Sequence, residues 1–263
     1  MNILDAIVEH KKVEVLKRKQ KRALSTLRSF PFYDRECNKI GSVFQDGPGI
    51  IAEFKRKSPS KGPIHPDADP VEVACAYQDA GVAAVSILTD RDFFGGSFRD
   101  LQRVRESAPE LVLLRKDFII DPYQLHEALA YGADMVLLIA ANLEKNQVED
   151  LALEARSLGL QILFEVHSAD ELEKYHPAIT YVGVNNRNLK TFTVNTGLSM
   201  ELIGQMPEGV VPVSESGLSE PAEILKLYRA GYKLFLMGEA FMKETDPGQA
   251  CMSLINRLIN PEG

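Results

Sequence analysis

Five short apolar segments of this chain each end in a charged or amide side chain, the residue types that move protons and hold substrate hydroxyls. Along GIIAEFK, Ile51, Glu53 and Lys55 alternate onto one strand face, so an acid and a base stand two residues apart near its end. The same parity groups Val112, Leu114, Lys116 and Phe118 in LVLLRKDF, Leu163 and Glu165 in QILFEVH, and Gly183, Asn185 and Arg187 in YVGVNNR. In VVPVSES it groups Val211, Val213 and Glu215. Lysines among carboxylates suit general acid–base catalysis, because neighbouring charges and burial tune their pKa values. A single strand-end lysine or glutamate is usually a solvated terminus. The set could also form a structural ion-pair ring of Glu53, Lys55, Lys116 and Glu165, a role that does not exclude catalysis. Five convergent cases favour a working site.

Convergence requires that these segments be strands of one sheet. Eight apolar, β-branched runs recur, starting at Gly49, Ala83, Leu111, Asp134, Gln161, Tyr181, Val210 and Lys233, with amphipathic helical stretches between them. Asp69-Pro70, Asp121-Pro122 and Glu220-Pro221 open three of those stretches, and Gly81, Gly132 and Gly231 close them. Regular strand–helix alternation predicts a parallel sheet, and eight units predict closure into an α/β, (β/α)8 TIM barrel. Residues 1–48 read as an N-terminal helical extension and 49–263 as the barrel, a single domain without a linker. An open doubly wound sheet would place a glycine-rich dinucleotide turn after the first strand; the chain has EFKRKSPSKG there instead.

In such barrels the C-terminal strand ends form the active site, and the loops after strands seven and eight commonly bind phosphate. Those loops read SESGLSEP and LMGEAFM, which makes Ser216, Gly217 and Gly238 candidate anion ligands. Either glycine alone is an ordinary turn residue. The segment KRKSPSKG follows strand one, beside strand eight once the barrel closes, so Lys55 and Ser58 can reach the same anion and the segment suits a mobile lid. DFFGGSF after strand two is a second such loop.

The formal charge of −7 argues against general nucleic-acid binding. Every apolar run is too short to span a membrane, and the N-terminus lacks the pattern of a signal peptide. Three scattered cysteines form neither a disulfide framework nor a zinc site, and they fit a reducing cytoplasm. The five histidines show no ligand spacing, and His167, though near the rim, reads as structural. Neither metal nor cofactor is expected. A monomer is the default expectation.

IIAEFKRKSPSKG, FFGGS, LLRKDFIIDPYQ, LFEVHS, GVNNRNLKTF and SESGL, in this order, together resemble indole-3-glycerol phosphate synthase of tryptophan biosynthesis, over essentially the whole chain. The resemblance implies the substrate 1-(2-carboxyphenylamino)-1-deoxyribulose 5-phosphate, ring closed with loss of carbon dioxide and water. It makes Lys116 the acid of ring closure and Glu165 the base of dehydration, with Lys55 as assisting acid or phosphate ligand. Glu53 and Asn185 then position the lysines and substrate hydroxyls. Arg187, Glu215 and Ser216 hold substrate, Phe118 packs on the anthranilate ring, and Ser58, Gly217, Gly238 and Glu239 receive phosphate. Lys116 is expected to be neutralised and partly buried, with its pKa moved toward working pH. Glu239 stands where many members carry serine, and its carboxylate is expected to point away. No fused isomerase domain is expected; contact with other tryptophan-pathway enzymes is left open. Two rivals remain: a sugar-phosphate isomerase or Schiff-base aldolase using Lys116 as nucleophile, and a barrel kept as a scaffold.

Overall fold

Valine, isoleucine and leucine favour a half-buried pleated surface, and all eight expected runs form strands in the computed structural model, which describes residues 3–41, 47–189 and 191–260. They are β1 (Gly49–Phe54), β2 (Ala84–Leu88), β3 (Leu113–Lys116), β4 (Met135–Ile139), β5 (Gln161–Val166), β6 (Tyr181–Asn185), β7 (Val211–Glu215) and β8 (Leu234–Met237). Each is parallel to its neighbours, and β1 pairs with both β2 and β8, so the sheet closes. Residues 1–2 and 42–46 of the expected extension, Lys190 of the GVNNRNLKTF motif, and residues 261–263 lie outside the described residues.

The period-2 reading holds through the barrel. Ile51, Val112, Leu114, Leu163 and Val213 pack together inside it with Met135, Leu137, Leu234 and Leu236. The alternate residues, among them Ile50, Ala52, Phe54, Val85 and Phe164, pack outward against the helices. Helix ends follow their punctuation with one shift. Asp69 caps the helix Pro70–Asp79 by accepting from the Val71 and Glu72 amides. At the second site Pro122 itself takes the N-cap position and the helix begins at Tyr123, while Asp121 Oδ1 accepts from the Tyr123 amide at 2.9 Å. Glu220 precedes Pro221 at the start of the third without a side-chain cap bond.

Two helices, α1 (Ile3–Lys21) and α2 (Leu24–Arg28), precede β1. Helix α1 lies against the C-terminal rim. Its fully buried Lys11 ammonium contacts Asp90 at 2.8 Å and Asp117 at 2.9 Å, carboxylates just beyond the ends of β2 and β3. Asp117 also accepts from Arg115 at 2.9 Å and Thr89 at 2.6 Å. Farther along, Arg35 reaches Asp134 at 2.7 Å, and Asp134 also pairs with Arg105 and accepts from the Leu113 amide at 2.7 Å. Asp134 and Leu113 sit at the opposite, N-terminal ends of their strands, so the extension is tied to both faces of the barrel.

Candidate active site

Strand parity and register bring the polar strand ends together. Lys116 closes β3, and its ammonium donates to Glu165 Oε2 of β5 at 3.1 Å and to Glu215 Oε2 of β7 at 3.1 Å. Asn185, at the end of β6, donates from Nδ2 to Glu165 Oε1 at 3.0 Å. Lys55 donates to Glu53 Oε1 at 2.6 Å. Two glycines make the room. A Cβ at Gly183 would overlap Glu215 Oε1, and one at Gly238 would come 2.8 Å from Glu53 Oε1. Each carboxylate therefore fills the space that a neighbouring strand's side chain would occupy.

Charge balance in this centre corrects one expectation. Burial alone would drain the proton from Lys116, but the carboxylates of Glu165, Glu215 and Glu53 overcome it and hold the amine more firmly protonated than an ordinary lysine. Glu165 is likewise buried, which favours its neutral form, yet Lys116, His167 and Asn185 hold it ionised well below the usual carboxylate range. Glu215 goes the other way: burial and the charge of Glu165 push it up to about 7, against the pull of Lys116. The centre thus contains a charged lysine, an ionised glutamate and a second glutamate that titrates near neutrality.

Above it opens a cavity of about 730 Å³ at the C-terminal strand ends, and every candidate residue named from sequence lines it. Glu53, Lys55, Lys116, Glu165, Asn185 and Glu215 gather at its floor. Phe118 forms an apolar wall with Phe94 of the DFFGGSF loop, ring centroids 6.1 Å apart. Ser58, Arg187, Ser216, Gly217, Gly238 and Glu239 complete the lining. Lys57–Ser58 of the KRKSPSKG segment pair with Gly62–Pro63 at its end in a two-stranded ribbon. It is moored where Arg56 meets Asp100 at 2.6 Å and Lys57 donates to the Asp92 carbonyl at 2.9 Å.

The rim loop after β7 holds a strained residue. Ser216 has φ of 67°, a left-handed conformation that costs a non-glycine residue about 1 kcal/mol or more. Asn186 supports it by donating to the Glu215 and Ser216 carbonyls at 3.1 and 3.2 Å. Asn186 has the outward parity of its strand, which is why a search for inward polar residues passes over it.

One further expectation changes. The Glu239 carboxylate does not point away: it lies 3.3 Å from both Lys61 of the ribbon and Arg187, within the cavity lining. Arg187 attracts it across the space between β6 and β8. His167, read as structural, sits between two carboxylates, with Nε2 3.3 Å from Glu165 Oε1 and Nδ1 3.5 Å from Glu171 Oε2. Its parity with Leu163 and Glu165 was the available signal. Among the described residues no group of three or more His, Cys, Asp or Glu could hold a metal ion, and no helix is long and apolar enough to cross a membrane.

A closed parallel barrel, a lysine clasped by two glutamates at its C-terminal mouth and glycine loops on the last two strands define a (β/α)8 barrel with an acid–base centre at the strand ends. Comparison with known proteins narrows the class: the chain belongs to the indole-3-glycerol phosphate synthase family, whose model matches residues 4–254. It is 43% identical over 258 residues to the indole-3-glycerol phosphate synthase of Bacteroides thetaiotaomicron, spanning 98% of this chain and 99% of that protein. The protein of the same name from Salinibacter ruber is 43% identical, over 97% and 95% of the two chains. Among solved structures, a chain of the tryptophan synthase a2b2 complex of Pyrococcus furiosus superposes with a TM-score of 0.59 at 12% identity, covering 82% of this chain and 99% of that one. At that identity the likeness concerns the fold alone.

Proposed function

We propose that this chain converts 1-(2-carboxyphenylamino)-1-deoxyribulose 5-phosphate into indole-3-glycerol phosphate, carbon dioxide and water at the Lys116–Glu165 centre, as a step of tryptophan biosynthesis. The observation that carries the reading is the Lys116 ammonium, held charged between Glu165 and Glu215 on the floor of a cavity lined by Gly217 and Gly238.

Ring closure forms a carbon–carbon bond between the aromatic carbon that bears the carboxylate and the ketone carbon. The ketone oxygen gains negative charge and takes a proton from Lys116. Loss of carbon dioxide then returns the bonding pair to the ring. Dehydration expels the new hydroxyl as water, which needs a second acidic proton, while Glu165 accepts a proton from the substrate. Lys116 has by then given its proton away, whereas Lys55 lines the same cavity with its charge supported by Glu53. That order assigns the dehydration proton to Lys55. Asn185 orients Glu165, and Glu53 orients Lys55. Phe118 offers its ring to the anthranilate, and Glu215 and Ser216 hold substrate hydroxyls. Arg187 also holds substrate, and Lys55, Ser58 and the backbone amides at Gly217, Gly238 and Glu239 receive the phosphate.

The chain is further read as a single domain, an extension over residues 1–48 and a barrel over 49–263, acting as a cytoplasmic monomer. Three free cysteines suit a reducing compartment. Adding the carboxyphenylamino sugar phosphate to the purified protein should release carbon dioxide and produce the indole chromophore; folded protein that yields neither overturns the assignment. Lys116→Ala should lower turnover by about 10²–10⁴-fold while calorimetry still shows substrate binding. Unchanged turnover would remove Lys116 from the mechanism. A borohydride-trapped lysine adduct would instead favour the aldolase alternative.

A further inference from the structure

Ring closure consumes the charge that keeps Glu165 ionised. Once Lys116 has given up its proton, Glu165 stands buried beside Glu215 with Asn185, a neutral donor, as its remaining partner on the barrel floor. A buried carboxylate in that state tends to take up a proton from any source. It would then be spent as a base before dehydration.

One more cation faces it. His167 sits two residues beyond Glu165 in the chain, and its Nε2 lies 3.3 Å from Glu165 Oε1, the oxygen not engaged by Lys116. On its other side Nδ1 lies 3.5 Å from Glu171 Oε2 of the short helix Ala169–Leu172, and the same oxygen accepts from the His167 amide at 2.7 Å. The imidazole is thus clasped between two carboxylates with 13% of its side chain exposed, and it is not part of the cavity lining. Substrate chemistry therefore does not use its proton.

We propose that His167, kept as an imidazolium by Glu171, is a positioning residue that holds Glu165 ionised and oriented through the interval in which Lys116 is discharged. The proposal rests on the reading of Glu165 as the dehydration base. The groups facing Glu165 are Lys116 from β3, Asn185 from β6, Glu215 from β7 and His167; those facing His167 are Glu165 and Glu171. Burial works against the imidazolium, but the two carboxylates push its pKa up to about 10, so it keeps its charge through neutral pH.

The test is the pH profile of kcat in His167→Ala, His167→Gln and Glu171→Gln, with Glu165→Gln as reference. Loss of the imidazolium raises the pKa of Glu165, so the acidic limb of His167→Ala should move up by about one pH unit or more, with kcat reduced at neutral pH and KM nearly unchanged. His167→Gln keeps a neutral donor and should recover part of kcat while leaving the limb displaced. Glu171→Gln should displace the limb in the same direction by less. Glu165→Gln should be nearly inactive. If it keeps more than about a tenth of wild-type turnover, the reading of Glu165 as base fails and the proposal falls with it. If Glu165→Gln is inactive while His167→Ala keeps the wild-type limb, or raises KM alone, the role of His167 is refuted and the assignment of Glu165 stands.

Discussion

Replacing Lys11 with methionine removes an ammonium from a fully buried site while leaving its carboxylates in place. Asp117 keeps Arg115, Thr89 and the Phe118 amide after the change. Asp90 retains on Oδ1 the Phe93 and Phe94 amides at 2.9 and 3.3 Å, but Oδ2 loses the cation 2.8 Å away. Breaking a buried ion pair by deleting one partner costs about 3–5 kcal/mol, and the partners left to Asp117 place this case near the lower end. At about 2–4 °C per kcal/mol for a chain of this size, the melting temperature should fall by about 6–12 °C at neutral pH. The loss should depend on pH in a definite direction. Although burial favours its neutral form, Asp117 is held by Lys11 and Arg115 below its ordinary value of 3.8. Its pairing therefore contributes stability above that value, which is lost as pH falls through the depressed folded value. The gap between wild type and variant should thus be widest at neutral pH and narrow as pH falls below about 4. Thermal scans across that range check both statements. A fall smaller than about 2 °C at neutral pH, or a gap that widens in acid, would refute the account of Lys11 as the counter-ion of this cluster.

The remaining expectations concern the site. Glu215 is pushed up to about 7 by burial and Glu165, so its ionisation weakens the fold as pH rises from its ordinary value of 4.5 toward 7. Glu215→Gln should accordingly gain stability relative to wild type between pH 5 and 8, followed by melting temperature, while losing activity. Gly183→Ala should displace the Glu215 carboxylate and, with it, one partner of Lys116; turnover is expected to fall about tenfold or more with the fold retained by circular dichroism. Glu239→Ser should free Arg187 and Lys61 for an anion and lower the inhibition constant for inorganic phosphate by about three- to tenfold. An unchanged constant would mean that the carboxylate does not compete for those cations.

The barrel and its polar mouth were legible because both follow from an alternation every reader of the sequence can count. Ile51 and Glu53, or Leu163 and Glu165, must share a face once each segment is a strand, and charges placed only at strand ends must meet at one rim. What alternation does not convey is the energy of the meeting. An expected drift of Lys116 toward neutrality ignored that three carboxylates outweigh its burial. Glu239 was misplaced because its direction depends on Arg187, 52 residues away in the chain. Lys11 gave no sign of its burial, since its partners lie beyond two other strands. His167 shares the parity of Leu163 and Glu165, but parity does not tell that two carboxylates, Glu165 and Glu171, flank its ring.

The tethering of the extension to both ends of the barrel also has a bearing on the order of events as the chain emerges. Residues ahead of the barrel find their ionic partners at Asp90, Asp117 and Asp134, some 80 to 105 positions later in the chain. Until β4 is available that segment has little to dock against, so the beginning of the chain is fastened late. Contacts made late weigh on the escape from the native state rather than on the approach to it. Lys11→Met is therefore expected to speed unfolding in stopped-flow measurements while leaving the refolding rate close to wild type. A slowed refolding rate would refute the view of the strap as a latch closed on a barrel already formed.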